Sequence, residues 1–276
     1  MEKENKMILF DEQLHVEAYQ FEGVAQSFPN HFHEYYVFGY VESGERRLTC
    51  KNRDYLLKEG QMMILNPYDN HGCVQNGHKS LNYRAISLSQ EVMMELVEKI
   101  SGKKELLYFM ENVIDDENIT SCFLSLHQMI MSKNCEWEKK ESFYLLFTLL
   151  LQKYGQSFHE NGLEYREEIE SLCIYLETHY DKHIDLNDMC RYTRFTQSTL
   201  LRAFTKAKRM TPYRYLMAIR INVAQKLLEQ GVLPVDVAVQ VGFFDQGHMT
   251  KYFLSFMGIS PGVYRKIFCE RRDRIE

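Results

Sequence analysis

The stretch VAVQVGFFDQGHMTKYFLSFMGISPGVYRK, residues 237–266, decides the fold of the C-terminal part of this 276-residue chain. Gly242 permits a tight turn, because glycine adopts backbone conformations that other residues avoid. Asp245 follows, and its short carboxylate can cap a helix by accepting hydrogen bonds from backbone N–H groups. Met249 and Phe253 are spaced four residues apart, which places them on one face of that helix. The stretch therefore predicts a helix-turn-helix whose second helix begins at Asp245.

A similar unit lies 49 residues earlier in the chain. The corresponding residues are, in order, Thr196, Leu200, Phe204, Thr211-Pro212 and Tyr215 in the first unit and Asp245, Met249, Phe253, Ser260-Pro261 and Tyr264 in the second. Such repetition indicates that one supersecondary unit is used twice. We expect the second helices over about 196–207 and 245–256, and a long helix over about 212–230 that joins the units. Asp185 and Pro234 are typical of the starts of the two first helices.

Each predicted second helix has a polar face opposite its apolar row, and the side chains on that face can read DNA. Two such helices fit successive major grooves, which are about 34 Å apart. The candidates for base contacts are Gln197, Ser198, Leu201 and Arg202 in the first unit and Gln246, Gly247, His248 and Lys251 in the second. Arginine can donate two hydrogen bonds to guanine, glutamine can pair with adenine, and leucine can touch a thymine methyl group.

The flanks of these helices carry candidates for phosphate contacts, which position a protein on DNA without specifying sequence. They are Thr196, Lys206, Lys208 and Arg265. The alternative is that these are ordinary solvated helical faces. The presence of two such faces at equivalent positions of the repeat, 49 residues apart, favours the DNA-reading interpretation.

Residues 181–267 resemble the paired helix-turn-helix domain of the AraC/XylS transcription regulators. The positions that carry the resemblance are Ala238, Gly242-Phe243, Phe253, Gly258, Ser260-Pro261 and Tyr264-Arg265. The resemblance implies a DNA-binding regulator that works with RNA polymerase, forms a homodimer and activates more often than it represses. The first unit departs from the pattern at Cys190, where a small alanine is usual, and at Arg209, where glycine usually closes the helix.

Residues 15–88 read as short strands separated by turns, which predicts a small barrel or sandwich. The strand-like segments are YYVFGYV (35–41), RRLTC (46–50), QMMIL (61–65) and NYRAISL (82–88). From Ser89 to Gly155 the pattern is helical. The stretch 137–154 carries more leucine than a thin amphipathic stripe needs, which leaves two alternatives, burial within the monomer or a dimer contact.

His31, His33, Gly44, Gly60 and residues 67–71 resemble the two motifs of a cupin barrel, as in the sensor half of many AraC-type regulators. The resemblance implies a pocket in which His31, His33, Tyr35 and His71 bind a small-molecule effector, such as a sugar. The three histidines occupy positions where metal-dependent cupins place ligands, but Val37 replaces the usual carboxylate and cannot bind a metal. We therefore expect either an organic effector or histidines hydrogen-bonded within the barrel, and no metal or cofactor. No Ser/His/Asp or Cys/His arrangement has a readable spacing, so we expect no catalytic residue.

These inferences predict an α+β protein with three parts: a cupin-like β-barrel that senses the effector (1–88), a helical linker and dimerisation segment (89–160), and an all-α DNA-binding domain with two helix-turn-helix units (164–276). Two other functions stay open. One is a metal-dependent cupin enzyme with a DNA-binding appendage, and the other is a barrel that only dimerises. A flexible connection is expected near 155–162.

Composition and charge agree with this division. Residues 1–163 carry 16 basic and 24 acidic side chains, whereas 164–276 carry 17 and 14, so the two parts are expected to have different partners. The longest apolar run, 143–151, is about half the roughly 20 residues of a membrane-spanning helix. The seven cysteines are scattered and contain no CxxC pair. We therefore expect a cytoplasmic protein with reduced thiols and no membrane partner.

Overall fold

The structure, a computed structural model, describes residues 4–51, 53–77, 80–132, 136–157, 165–208 and 210–272. Cys135, Arg209 and residues 158–162 of the expected connection lie outside this description. The chain divides into two compact units. The N-terminal unit comprises Met1–Ser27 and His33–His159, and the C-terminal unit comprises Phe28–Phe32 and Glu160–Glu276.

The N-terminal unit is built mainly from antiparallel strands. The strands of the described chain are β1 (Asn5–Asp11), β2 (Val16–Val24), β3 (Phe28–His31), β4 (Tyr36–Ser43), β5 (Glu45–Cys50), β6 (Arg53–Lys58), β7 (Met62–Leu65), β8 (His71–Gln75), β9 (Leu81–Leu88), β10 (Leu107–Phe109), β11 (Val113–Ile114) and β12 (Gly155–Ser157). Six strands form one sheet in the order β1-β2-β9-β4-β7-β11. In a second sheet β5 pairs with both β6 and β8, and β10 pairs with β12 in a short ribbon.

Three helices pack on the larger sheet and share its core. They are α1 (Gln90–Ser101), α2 (Glu117–Ser132) and α3 (Glu136–Tyr154). Phe147 of α3 lies edge-on to Phe38 of β4, with ring centroids 5.0 Å apart, and Phe38 meets Phe109 of β10 in the same way at 5.5 Å. Edge-to-face contacts of this kind add to the free energy gained by burying the rings.

The core of the N-terminal unit contains one side of the leucine-rich stretch in α3. Phe143, Leu146, Phe147 and Leu150 are buried within the monomer, against the sheet and α2. Burial within one chain therefore accounts for this row but not for Leu145 of the same helix, which is 53% exposed. The dimer contact stays a prediction.

Two details of the sequence interpretation are wrong. The first strand begins at Asn5 rather than near residue 15, because β1 pairs along its whole length with β2. The stretch from Ser89 to Gly155 is not helical throughout, because Val113 and Ile114 pair with Met63 and Met62 at the edge of the larger sheet. These short strands are stabilised by partners far away in the sequence, so local periodicity does not show them.

The described part of the C-terminal unit is helical apart from β3. Its helices are α4 (Arg166–Thr178), α5 (Leu186–Thr193), α6 (Gln197–Lys208), α7 (Pro212–Glu229), α8 (Pro234–Gln240), α9 (Gln246–Met257) and α10 (Pro261–Arg272). The predicted caps are confirmed: Thr196 Oγ1 accepts a hydrogen bond from the Thr199 backbone N–H at 3.3 Å, and Asp245 Oδ1 accepts one from His248 N–H at 2.6 Å. None of the helices in the described part of the chain has the length and apolarity that a bilayer crossing requires.

Helix α7 is the centre of this unit, and most of its residues are buried. Arg220 of α7 donates hydrogen bonds to the carbonyl oxygens of Tyr180 (2.8 Å) and Lys182 (2.7 Å). These bonds hold the segment 180–182 beside the turn at Gly242, whose φ is +79°. A Cβ atom at Gly242 would lie 2.6 Å from the Asp181 carbonyl oxygen and 2.8 Å from that of Tyr180. The turn between α8 and α9 therefore requires glycine.

Candidate DNA-binding face and effector site

Helix α6 is the second helix of the first helix-turn-helix, and it has one buried and one exposed face. Leu200 and Phe204 are fully buried, as predicted. The candidate base readers Gln197, Ser198 and Arg202 are exposed, and Leu201 is half-buried. Gln197 Nε2 donates a hydrogen bond to Asn187 Oδ1 of α5 at 2.9 Å. The sequence pattern and the structure therefore agree on which face of α6 is exposed.

Helix α9 has the corresponding arrangement in the second unit. Met249 and Phe253 are fully buried, whereas Gln246, Gly247 and Lys251 are exposed.

His248 differs from the other candidates on α9. Its ring is half-buried, and its centroid lies 5.3 Å from that of Phe243 and 5.3 Å from that of Tyr252. Its Nδ1 is buried and has no hydrogen-bond partner among the described residues. His248 thus packs against the aromatic side chains of its own unit.

The candidate phosphate contacts lie on α6 and its N-terminal cap and on α10. Lys206 is exposed on α6, and Thr196 caps that helix at its N-terminus. Lys208 Nζ lies 2.7 Å from Glu170 Oε1, and Arg265 Nε donates to the Gly231 carbonyl at 2.9 Å. Arg265 thereby ties α10 to the end of α7.

The segment Phe28–Phe32 belongs to the C-terminal unit, and it carries His31. The His31 ring stacks on Phe256 of α9, with centroids 5.1 Å apart and planes 20° apart. The Arg214 guanidinium lies 5.4 Å from the same Phe256 ring, and Arg214 Nε donates a hydrogen bond to the Asn30 carbonyl. Phe32 packs on Tyr215 of α7 at 4.9 Å. The structure therefore places His31 on α9, a position that the sequence pattern did not reveal.

The other three predicted effector residues lie in the N-terminal unit and contact one another. The His33 ring stacks on Tyr35 (4.7 Å between centroids, 15° between planes), and it lies 5.1 Å from His71. His71 Nδ1 donates to the Asp69 carbonyl at 2.8 Å, which fixes the orientation of the ring. Burial lowers the pKa of His71, and the hydrogen bond to Asp69 opposes this effect. The buried imidazole is therefore neutral near pH 7.

Neutral imidazoles can bind either an organic ligand or a metal ion. The ligand nitrogens of His33 and His71 lie within 4.8 Å of each other. Val37, at the position of the carboxylate in metal-dependent cupins, is half-buried and offers no ligand atom.

A buried carboxylate, which the sequence pattern does not indicate, lies beside His71. Asp69 accepts hydrogen bonds from Tyr108 Oη (2.8 Å) and Asn66 Nδ2 (2.8 Å), and its carboxylate lies 3.4 Å from Lys51 Nζ. Tyr108 is also the acceptor of a hydrogen bond from Lys51 Nζ. This network holds the loop that precedes His71. Lys51 and Tyr108 are too far from this loop in sequence to form a recognisable motif with it.

Comparison with known proteins agrees with this architecture. A family model described as the AraC-like ligand binding domain matches residues 13–152, and a helix-turn-helix domain model matches residues 189–267. The HTH-type transcriptional regulator YbfI of Bacillus subtilis is 40% identical over 97% of this chain and 98% of its own. The lactose operon transcription activator of Staphylococcus xylosus is 25% identical over 89% of this chain and 91% of its own.

A solved structure also shares the fold. ToxT of Vibrio cholerae O395 superposes with a TM-score of 0.53 at 19% identity, covering 96% of this chain and 96% of that one. The ligand-binding family model covers just over half of this chain, and the 40% identical relative aligns over nearly all of it. The chain therefore belongs to the AraC family of DNA-binding transcriptional regulators, with an N-terminal ligand-binding domain and a C-terminal helix-turn-helix domain.

Proposed function

We propose that this protein regulates transcription by reading a specific DNA site with α6 and α9, in response to a small metabolite bound in the N-terminal unit. The observation that carries the proposal is the pair of capped helices, each with a buried apolar row and an exposed polar face. If these polar faces only contacted solvent, there would be no reason for both units to present the same kind of polar face at equivalent positions. Family membership supports DNA as the partner.

The direct test is to select fragments of the source genome that the purified protein binds at about 150 mM salt, where weak electrostatic binding contributes little. We expect a motif that spans two adjacent major grooves and binds at least about a thousandfold more tightly than random DNA. The absence of any enriched motif, with and without cell extract as a source of effector, would contradict the proposal.

Two basic side chains of α6 are expected to behave differently on that site. Arg202→Ala should weaken binding to the selected site by about 1–3 kcal/mol and relax the preference at one base pair, because arginine can pair with guanine O6 and N7. Lys206→Ala should weaken binding to the selected site and to random DNA alike, because a phosphate contact carries no sequence information. Titrations of both variants on both DNAs measure this difference.

Arg191→Ala is the matched control for Arg202, because Arg191 is an exposed arginine of α5 that pairs with Asp188. It should leave the base preference unchanged. If Arg202→Ala lost the same amount of binding affinity for the selected site and for random DNA, Arg202 would not be a base-reading residue.

The proposed effector site is the group of His33, Tyr35 and His71. Tyrosine and histidine present hydrogen-bonding groups beside apolar ring surface, which suits hydroxyl-rich ligands. The Staphylococcus xylosus relative is named for the lactose operon, which supports a sugar as the effector. His31 stays a prediction as a fourth contact, with its ring packed on Phe256.

His33→Ala should abolish the change in DNA affinity that an active sugar causes and leave DNA affinity without sugar unchanged. The reason is that His33 contacts both Tyr35 and His71, so its loss removes the centre of the group. The measurement is DNA affinity with and without lactose, melibiose and raffinose at millimolar concentrations. His183→Ala, an exposed histidine of the C-terminal unit, is the control. An unchanged sugar response in His33→Ala would place the effector elsewhere.

The remaining partners belong to the same proposal. We propose that the protein acts in the cytoplasm as a homodimer and activates transcription through RNA polymerase. The Staphylococcus xylosus relative is named as an activator, and the matched relatives are transcriptional regulators rather than enzymes. A dimer with identical halves would make the DNA site a repeat.

A further inference from the structure

We infer that Phe244 is a further DNA-reading residue, which contacts the methyl group of a thymine in the major groove. Phe244 lies in the turn between α8 and α9, directly before the cap residue Asp245. Its side chain is 92% exposed, the largest value among the exposed large apolar residues of the described chain. An apolar ring that contributes so little to its own fold points to a role in binding.

The ordinary structural role of an apolar residue at this position does not apply to Phe244. An apolar residue before a helix cap often packs on the fourth residue of the helix and fixes the entry of the chain. That residue would be Met249, which is fully buried without Phe244 covering it. The adjacent Phe243 is the turn residue that packs inward, being 5% exposed.

The internal repeat provides a comparison within the same chain. Phe195 occupies the corresponding position before α6, 49 residues earlier. Phe195 is half-buried and lies edge-on to Tyr165, with ring centroids 5.2 Å apart. The first unit therefore uses this phenylalanine for packing, whereas the second unit presents it to solvent.

The position of Phe244 also suits contact with bases. Residues at the N-terminus of a reading helix are those that reach base edges in a helix-turn-helix. Asp245 is engaged as the cap, Gly247 has no side chain, and the His248 ring packs on Phe243 and Tyr252. Phe244 and Gln246 are therefore the large exposed side chains at this end of α9. The thymine methyl is the one apolar group that a base pair presents in the major groove. A phenyl ring without charge or hydrogen-bonding groups matches that methyl and not a phosphate.

This inference rests on the proposed DNA reading by α9, and its test separates the two. In the selected DNA site, each thymine is replaced in turn by deoxyuridine, which removes the methyl group alone. The wild-type protein should lose about fourfold in affinity at one position, which corresponds to about 0.8 kcal/mol per methyl or methylene group buried. Phe244→Ala should bind the unmodified site about fivefold to tenfold more weakly and show no further loss at that position.

Val239→Ala is the matched control, because Val239 of α8 is also an exposed apolar residue, at 73% exposure. It should bind the site as the wild type does and keep the uracil effect. Circular dichroism checks that Phe244→Ala retains its helices, as expected for so exposed a side chain.

Three outcomes would overturn the inference. Phe244→Ala could bind the site as tightly as the wild type, or the same uracil position could remain sensitive in both proteins; either result removes Phe244 from DNA reading and leaves the regulator proposal intact. A wild-type protein without any specific site would overturn both proposals together.

Discussion

Gly242→Ala is expected to lower the free energy of unfolding of the C-terminal unit by about 3 kcal/mol or more, the combined effect of backbone strain and collision. The backbone at Gly242 has a φ of +79°, which alanine adopts only with strain. The added methyl group would also lie 2.6 Å and 2.8 Å from two carbonyl oxygens of the segment 180–182. This segment has little freedom to move away, because Arg220 holds it on α7 through two hydrogen bonds.

Urea unfolding followed by pulsed hydrogen exchange measures this change in the full-length protein. Peptides from α7 and α9 report on the C-terminal unit, and peptides from β2 and β4 provide an internal reference that should not change. Gly262→Ala is the matched control, because a Cβ atom there has no neighbour within 4 Å and the residue lies in α10. The control should be as stable as the wild type or slightly more so. Equal stability of Gly242→Ala and Gly262→Ala would contradict the steric argument.

The N-terminal unit is expected to lose about 3 kcal/mol of stability between pH 6.5 and pH 4 through one residue, His127 of α2. His127 is fully buried, and its Nε2 donates to the Tyr19 carbonyl at 2.9 Å. Burial lowers the pKa of His127 to about 4, a change that the hydrogen bond to Tyr19 opposes and the nearby Arg84 reinforces. Near neutral pH the ring is uncharged in both the folded and the unfolded state. As the pH falls below about 6.5, the unfolded chain takes up a proton first, so the stability decreases until the pH reaches the folded pKa.

His127→Gln tests this expectation, because its amide can still donate to the Tyr19 carbonyl but does not titrate. The pulsed-exchange experiment at pH 7 and pH 4.5 should show a smaller loss of stability in the variant than in the wild type. The difference between the two losses removes contributions from other groups, including His71, whose pKa is also lowered by burial. His183→Gln, at an exposed position, should reproduce the wild-type profile. A variant that loses as much stability as the wild type would show that His127 does not dominate the acid sensitivity.

The helix-turn-helix units could be predicted because their determinants are local. Thr196 and Asp245 act through bonds to residues three positions later, and Leu200, Phe204, Met249 and Phe253 are buried as their spacing indicates. Local hydrogen bonds and helical periodicity can be read from one short window. The exposure of Phe244 depends instead on how the turn between α8 and α9 folds, because Phe243 packs inward and Phe244 does not. The spacing of apolar residues in the sequence does not distinguish these two neighbours.

The N-terminal unit was predicted less completely, because long-range pairing determines it. Strand β11 consists of two residues and exists through its pairing with β7. The network around Asp69 joins Lys51, Asn66 and Tyr108, which are separated by up to 57 residues. The motif of histidines indicated where to look for an effector, but the buried carboxylate that supports His71 became visible only in the folded chain.

The discontinuity of the C-terminal unit has a consequence for the order of folding. The segment Phe28–Phe32 leaves the ribosome long before α7 and α9, and its bond from Arg214 to Asn30 spans 184 residues. The helices of this unit form contacts between neighbours in sequence, which are fast to make, whereas this segment closes a very long loop. It is therefore expected to join last during synthesis. A fragment that begins at residue 165 would complete its helices and still leave Phe256 and Tyr215 without the rings of His31 and Phe32 that cover them in the intact chain.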